Sequence, residues 1–156
     1  LTVSFSSVDT AALLGVAALL GACAHQPDPY SARSQNPVVR IDGTAARIDP
    51  PVLFFDTRGG KPVTITWRLD PTAGFRFAER GIEIEGEITD RILRGQPPSV
   101  VLDPRQDVVR NCRAGDERRL TYTCENTLAR PGVFKYTIRV TDGKREIAHD
   151  PVISNW

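Results

Sequence analysis

The chain has 156 residues, of which 40% are hydrophobic and 25% charged, and this is the size and composition of one folded domain. Its 20 Lys and Arg nearly balance 19 Asp and Glu, which argues against a nucleic-acid partner because such a partner requires a clearly basic face. Glycine and proline, at 12 residues each, stay below the level typical of disordered or collagen-like chains.

The first predicted element is an apolar run from residue 11 to residue 22 that contains no polar side chain. A helix of this length reaches about 18 Å, which is short of the roughly 30 Å hydrocarbon layer of a bilayer. The length fits the apolar region of a secretory signal, and Gly21 and Ala22 suit a cleavage site. We predict that residues 1–22 are a signal peptide, with a buried core helix as the alternative.

The end of this run, Leu20-Gly21-Ala22-Cys23, resembles the lipobox of bacterial lipoproteins. The resemblance implies a diacylglyceryl thioether on the sulfur of Cys23, cleavage before Cys23 and acylation of the freed amine. Cys23 is then the membrane anchor, because several acyl chains hold a protein firmly to a bilayer at about 0.8 kcal/mol per buried CH₂. Ala24 is not the Asp that retains some lipoproteins at the inner membrane, so the pattern favours the periplasmic face of the outer membrane.

Residues 23–50 are predicted to form the lipid anchor and a flexible tether, since prolines and small polar residues without periodicity follow the anchor. Alternation at Val39 and Ile41 indicates that a first edge strand begins here. The pair Pro50-Pro51 marks the boundary of the tether, and residues 51–156 are predicted to form the folded domain.

From residue 52 onward, apolar and polar side chains alternate with a period of two, which is typical of half-buried strands. The alternating segments are separated by turn sequences such as Asp142-Gly143, and no amphipathic helix lies between them. We predict an all-β fold, an antiparallel β-sandwich of about seven to nine strands. A single helical turn is the alternative for residues 87–95. The alternating segments include 63–69, 82–88, 120–124 and 134–140, and the apolar run 52–55 is predicted to be the strand before them.

The segment from Pro131 to Gly143, with the sequence Pro-Gly-Val-Phe-Lys-Tyr-Thr-Ile-Arg-Val-Thr-Asp-Gly, resembles the penultimate strand and turn of immunoglobulin-like domains of the PKD and fibronectin type. The segment from Thr64 to Asp70 is similar to the tryptophan strand of PKD domains, with Trp67 at its centre. The resemblance implies an immunoglobulin-like sandwich that serves adhesion, spacing or partner binding.

The three cysteines divide into Cys23 and the pair Cys112 and Cys124, which an oxidising compartment joins in a disulfide. The segment between the pair has the composition of a turn, so the disulfide is expected to be a local link that stabilises the fold by roughly 3 kcal/mol. A redox pair usually has Cys-x-x-Cys spacing, and zinc needs two further ligands, so a structural disulfide is favoured over both.

The sequence offers little for catalysis, because no Gly-x-Ser-x-Gly elbow is present. His149, beside Asp150, is expected on a surface strand. Glu83 and Glu85 alternate with isoleucines, which fits the solvated side of a sheet better than an acid and base pair. We therefore predict a chain that is not an enzyme and that uses no metal and no cofactor.

Charge is arranged in two groups. Glu83, Glu85 and Glu87 are expected on one sheet face, opposite Ile82, Ile84 and Ile88, where pairing with the strand of Lys135 and Arg139 neutralises them. The second group lies in the turn between the two cysteines and consists of Arg113, Arg118 and Arg119. It is the candidate contact with an acidic partner, a lipid headgroup or a polysaccharide.

Trp156 ends the chain, and we expect it to plug the open end of the sandwich, with an exposed contact anchor as the alternative. The features together predict an envelope lipoprotein, tied to the membrane by covalent lipid, that presents a β-sandwich to an envelope protein as an assembly, scaffolding or secretion accessory. The alternative is a glycan or peptidoglycan binding module, which needs aromatic side chains over a sheet face, with Phe75 and Phe77 as candidates.

Overall fold

The computed structural model describes residues 29–91 and 99–156, and most of them lie in β-strands. The described part contains one seven-residue α-helix, eleven strands and two 3₁₀ turns, at Thr57–Gly59 and Pro71–Ala73. Their bounds are α1 Pro29–Gln35, β1 Val38–Asp42, β2 Ala45–Asp49, β3 Val52–Phe55, β4 Val63–Leu69, β5 Arg76–Arg91, β6 Ser99–Asp103, β7 Val109–Ala114, β8 Thr121–Asn126, β9 Gly132–Thr141, β10 Glu146–His149 and β11 Val152–Asn155.

The strands form two sheets that enclose one hydrophobic core, a sandwich-like arrangement. The first sheet has the order β2-β1-β4-β8-β7. The second has the order β3-β11-β9-β5-β6, and β10 pairs with the C-terminal part of β9. The prediction of a mostly β chain is confirmed, and β3 and β4 have the bounds that were predicted from the sequence.

Both sheets are mixed. β1 runs parallel to β4, with Val39 opposite Leu69, and β11 runs parallel to β3, with Ile153 opposite Leu53. The prediction of antiparallel sheets is therefore wrong at these two pairs. Side-chain alternation shows which face of a strand is buried, but it does not encode which distant strand lies beside it or in which direction.

The folded region begins before the predicted boundary at residue 51. β1 and β2 form an antiparallel hairpin whose turn uses Gly43 in the left-handed conformation, with a φ of 60°. Three side chains of this hairpin are buried in the core: Val39, Ala46 and Ile48. The predicted flexible tether therefore does not extend over residues 29–50, because the alternating segments there bury apolar side chains.

Helix α1 covers one edge of the second sheet. It packs against β3, and the hydroxyl of Ser34 accepts a hydrogen bond of 2.9 Å from the backbone N–H of Phe54. Ser34 is itself buried. The predicted signal peptide, the alternative core helix in the same segment and Cys23 all lie outside the described residues.

Trp67 and Tyr136 link the two sheets at the centre of the core. Trp67 lies on β4 and Tyr136 on β9, and both side chains are fully buried. The ring centroids are 5.4 Å apart, and the indole N–H donates to the Tyr136 hydroxyl at 3.3 Å. Burial raises the pKa of Tyr136 well above its ordinary value, so the phenol stays neutral.

A polar link between the sheets lies where β8 and β11 end. The side-chain amides of Asn126 and Asn155 exchange two hydrogen bonds, of 2.9 and 3.0 Å, and both residues are buried. The amide oxygen of Asn126 also accepts from the backbone N–H of Leu128 at 3.2 Å. Each buried amide therefore has a partner in the opposite sheet.

The long strand β5 bends at two irregularities in its pairing with β9, one between Phe77 and Ile82 and one between Ile84 and Gly86. The second lies directly before Glu87, the residue at which the pairing of β5 with β6 begins. Residues 87–91 are part of β5, so the alternative of a helical turn is wrong over that stretch, and residues 92–95 lie outside the described part.

Candidate functional site

The predicted disulfide is present. Cys112 on β7 and Cys124 on β8 are bonded at 2.03 Å, and only 12 positions separate them. β7 departs from regular pairing between Arg110 and Arg113, where Asn111 takes a φ of 55°. The bond is thus the local link between neighbouring strands that the sequence predicted. Within residues 29–91 and 99–156, no three His, Cys, Asp or Glu side chains are grouped so that they could hold a metal ion.

The structure places the three candidate arginines on one hairpin. Arg113 lies near the end of β7 and Arg118 in the turn that leads to β8, and both are exposed. Arg119 is half-buried, with a φ of 56°, and its carbonyl accepts the N–H of Phe77 at 2.8 Å. No ion pair holds any of the three in the part of the chain that the structure describes. Their contact with an acidic partner stays a prediction.

Asp116 holds this turn in place. Its carboxylate accepts hydrogen bonds from the backbone N–H groups of Leu120 at 3.2 Å and Thr121 at 2.7 Å, and from the Thr121 hydroxyl. Partial burial acts to raise the pKa of Asp116, but the hydrogen bonds from Thr121 and Leu120 outweigh it and leave the pKa below its usual value. The arginines are therefore presented from an ordered turn.

Trp156 does not plug the sandwich, so that expectation is wrong, and 51% of its surface is exposed. Its backbone explains the direction of the side chain. The N–H of Trp156 donates to the carbonyl of Phe55 at 3.0 Å, and its carbonyl accepts from the N–H of Thr57 at 2.8 Å. The chain end is thus fixed along β3, and the indole lies under the guanidinium of Arg58, 5.2 Å from the ring centre.

The predicted neutralisation across the sheet is confirmed for Glu83 and Glu85, whereas the expectation that Glu87 shares their face is wrong, because Glu87 lies opposite buried Phe134. Lys135 contacts Glu85 at 2.7 Å, and Arg139 lies 3.8 Å from Glu83. Glu87 has a partner that the sequence did not indicate, because Arg130 reaches it with two guanidinium nitrogens at 2.5 Å each. These charges are paired within the chain and leave little for an external ligand.

Thr137 lies at the centre of a small polar cluster on the same face. Its hydroxyl contacts one carboxylate oxygen of Glu85 and lies 2.9 Å from one of Asp150. The ammonium of Lys135 contacts both acids, Glu85 at 2.7 Å and Asp150 at 3.4 Å. Lys135 and then Thr137 lower the pKa of Glu85, and Thr137 and then Lys135 lower that of Asp150. His149, half-buried on β10, is the strand residue that was predicted.

The outer face of the second sheet also carries apolar side chains. In the described residues, six large apolar side chains are exposed, and four of them belong to this face: Phe54, Val133, Leu102 and Val100. Phe54 points outward because Leu53 and Phe55 on either side of it are buried.

Strand register joins these side chains into a row. Phe54 lies opposite Ser154, and Ser154 lies opposite Val133. Since Glu87 lies opposite buried Phe134, the next residue, Ile88, lies beside Val133 on the outer face.

Ile88 on β5 is in turn opposite Leu102 on β6. The row crosses five strands and continues to Val100, two residues from Leu102 on the same face. We call it the apolar band: Phe54, Val133, Ile88, Leu102 and Val100.

The position of Ile88 differs from the prediction. Ile82 and Ile84 lie opposite Ile138 and Tyr136 and face the core, as expected. The irregularity between Ile84 and Gly86 adds one residue to β5 and reverses the faces that follow it. Ile88 therefore lies on the outer face.

A surface cavity of about 190 Å³ adjoins the Phe54 end of the apolar band. It lies between α1 and β3, and Phe54 belongs both to the band and to the cavity wall. The lining residues are Arg33, Ser34, Pro50, Pro51, Val52 and Phe54. The band therefore ends in a recess that can take an apolar side chain from a partner.

Sequence reasoning missed this site and placed aromatic contacts elsewhere. Phe75 and Phe77, the candidates for a glycan-binding face, are buried with 7% and 0% of their surface exposed. A signal for the band was present in the run Val100-Val101-Leu102, because three consecutive apolar residues in a strand place side chains on both faces of a sheet, one of which faces away from the core. Its position across the sheet depends on strand register.

In the described part of the chain, α1 and the 3₁₀ turns are all too short and too polar to cross a membrane. The chain matches no known protein-family model, and no curated protein shows significant similarity to it.

Proposed function

We propose that the chain is a membrane-anchored envelope lipoprotein that presents its β-sandwich to another envelope protein and has no catalytic role. The observation that carries the proposal is the apolar band. Val100 is 69% exposed, Phe54 45%, Leu102 38% and Val133 36%. Exposed apolar surface of this kind is typical of contact sites, because leaving it in water is unfavourable, and only Ser154 on β11 interrupts the row across the sheet.

The chemistry of the partner follows from the charges around the band. On the same sheet face, Glu83 and Glu85 are paired with Arg139 and Lys135. A partner therefore gains little from a charged surface, and the band favours an apolar one. The recess beside Phe54 supports an apolar or aromatic anchor on the partner, since such anchors dominate binding energy in many interfaces.

The anchor is the second part of the proposal. Five residues lie between Cys23 and Pro29, the first residue of α1, so the chain from one to the other spans at most about 22 Å. An acylated Cys23 would hold the domain close to the outer membrane on its periplasmic side. We further propose that the domain is an immunoglobulin-like sandwich extended by the hairpin of β1 and β2, which the central Trp67 on β4 supports.

The experiment uses a photo-crosslinking amino acid in intact cells. It is placed at Val133, within the band, and at Thr123, half-buried on β8 of the first sheet, as the matched control. We expect Val133 but not Thr123 to crosslink one protein, through an apolar segment of that protein. Phe54→Asp should abolish the crosslink, while Arg113→Ser leaves it intact.

Two results would contradict the proposal. Equal crosslinking from Val133 and Thr123 would show that the band is not a selective surface. Loss of the crosslink in a variant with Arg118→Ser and Arg119→Ser, with Phe54→Asp unchanged, would move the contact to the arginine turn. The anchor is tested separately, because Cys23→Ser should remove palmitate labelling and release the chain from membranes. Unchanged labelling would exclude Cys23 as the lipid site.

A further inference from the structure

The strands at the two ends of each sheet differ in how they are protected. Three of them carry features that natural proteins use to prevent strands from pairing with another chain. β3 is covered by α1, with Ser34 bonded to the N–H of Phe54. β7 is distorted at Asn111 and tied by its disulfide. β2 packs against β10 and alternates buried residues with charged ones such as Arg47. The fourth, β6, ends at the charged Asp103 and is followed by Pro104, but within the described part of the chain Val100, Val101 and Leu102 carry no charge and pair regularly with β5.

The backbone of β6 shows which of its groups face the free edge. The carbonyl oxygen of Val101 accepts the Thr89 hydroxyl at 3.2 Å, so it points toward β5. The carbonyl oxygen of Asp103 also points toward β5, because a Cβ at Gly86 would lie 2.7 Å from it. Successive residues of a strand direct their backbone groups to opposite sides, so Val100 and Leu102 each direct one N–H and one C=O away from β5.

We infer that β6 pairs with β6 of a second copy of this chain, antiparallel and about a two-fold axis at Val101. In that register Val100 of one copy lies opposite Leu102 of the other. Each such pair exchanges two hydrogen bonds, and the two pairs together use all the outward N–H and C=O groups of both residues. The free edge is thus complementary to itself, as a two-fold interface requires.

Side chains and charge agree with this register. Val100 and Leu102 lie on the outer face, so each gains an apolar neighbour across the junction. Asp103 lies opposite Ser99, and no like charges face each other. A parallel arrangement would instead bring the two Asp103 side chains close together. The second sheets of both copies then form one continuous sheet, and their apolar bands meet at the junction.

The size of the contact determines how strong the dimer is. A five-residue strand is about 17 Å long, and its pairing alone covers less than the roughly 800 Å² per partner of a standard interface. The dimer therefore forms in a concentration-dependent manner and dissociates on dilution. Phe54 and Val133 stay accessible in it, so the dimer does not depend on the function proposed above and does not exclude it.

Sedimentation equilibrium of the full chain with its disulfide intact tests the dimer. We expect association that increases with concentration. Val100→Pro removes an outward N–H from each copy without removing a bond to β5, and should weaken association about tenfold. Val100→Thr keeps the N–H and the branched shape and is the matched control, with association close to that of the original chain. Circular dichroism establishes that both variants are folded.

A crosslink identifies the register. In a Cys23→Ser background, Val101→Cys places two thiols across the two-fold axis, at a position where Cα atoms are about 4.5 Å apart. We expect a disulfide between copies to form much faster than for Val133→Cys, which lies away from the junction. A chain that stays monomeric at all concentrations, equal crosslinking of the two variants, or a different protein bound at β6 in place of the second copy would overturn the inference.

Discussion

At the scale of single residues, the structure is most informative where polar groups are buried. Thr137 exposes only 3% of its surface, although it lies on the outer face of β9 and its hydroxyl contacts two carboxylates. Such a group stabilises the fold only while all of its partners are present. The stability of this sheet face should therefore depend on Thr137 and on pH.

Thr137→Val is expected to lower the free energy of unfolding by about 1–2 kcal/mol, because Glu85 and Asp150 lose the single hydroxyl proton that they share. Urea unfolding at neutral pH measures the change. Thr123→Val is the control, since the Thr123 hydroxyl makes only a 3.4 Å contact with the carbonyl of Arg113. A loss in the control as large as in Thr137→Val would contradict the role assigned to the cluster.

The pH dependence has a defined sign. The pKa values of Glu85 and Asp150 are lowered in the folded chain, so their contribution to stability is complete above the ordinary carboxyl pKa and is lost as pH falls through the folded values. The pKa of Lys135 is raised by Glu85, so its contribution is lost only as pH rises above the ordinary lysine value. Unfolding midpoints measured across acid pH should fall less steeply for Thr137→Val than for the original chain, and equal slopes would contradict the assignment.

The buried amide pair should behave as a unit. Asn126→Leu or Asn155→Leu leaves one buried amide without its partner and should cost about 1–3 kcal/mol. The double variant removes both polar groups and should cost less than the sum of the two single losses. A double-mutant cycle in urea tests the coupling, with exposed Asn36→Leu as the control. Additive losses would show that the two amides act independently.

At the scale of elements, sequence and structure agree where the information is local. The alternation from Val63 to Leu69 predicted β4, and the pattern around Phe134 predicted the buried face of β9. The disulfide was also predictable, because a short turn between Cys112 and Cys124 brings the thiols together. A period of two and a tight turn are both properties of a few neighbouring residues.

The features that the sequence did not predict depend on contacts between residues that are distant in the sequence. The parallel pairs of β1 with β4 and of β3 with β11 join strands that are distant in the sequence. The outward position of Ile88 follows from an irregularity near Gly86, where the chain must pass close to Asp103. The direction of Trp156 follows from hydrogen bonds to Phe55 and Thr57. The apolar band could therefore be located only once the pairing and register of the strands were known.

The disulfide should stabilise the hairpin of β7 and β8. Replacing both Cys112 and Cys124 by Ser should lower the free energy of unfolding by roughly 3 kcal/mol, because the unfolded chain regains the freedom that a closed loop removes. Urea unfolding with and without reductant measures this. The original chain under reducing conditions should match the double variant, whereas the variant itself should not respond to reductant. Equal stability of the oxidised chain and the variant would contradict the prediction.

At the scale of the whole molecule, the segment before residue 51 is part of the fold. α1 and the hairpin of β1 and β2 supply Val39, Ala46 and Ile48 to the core and Ser34 to the edge of β3. The fold therefore includes the described residues from Pro29 onward, and the chain between Pro29 and the proposed lipid anchor at Cys23 is short. A domain held this closely has limited freedom to reach partners, which favours a partner in or near the same membrane.

A truncation series tests this view of the molecule. A chain of residues 29–156 should unfold cooperatively, whereas a chain of residues 51–156 should not. Val39 and Ile48 are almost fully buried, and each contributes roughly 1.5–3 kcal/mol by burial. Their loss, with β3 and β4 uncovered, removes a large share of the roughly 5–15 kcal/mol that stabilises a typical domain. Near-ultraviolet circular dichroism, which reports the packing of Trp67 against Tyr136, should be retained in the longer chain and lost in the shorter one. Cooperative unfolding of the chain of residues 51–156, with the Trp67 signal intact, would contradict this view. Residues 29–50 would then not be needed for the fold and could act as a tether, so the domain would lie farther from the proposed membrane anchor.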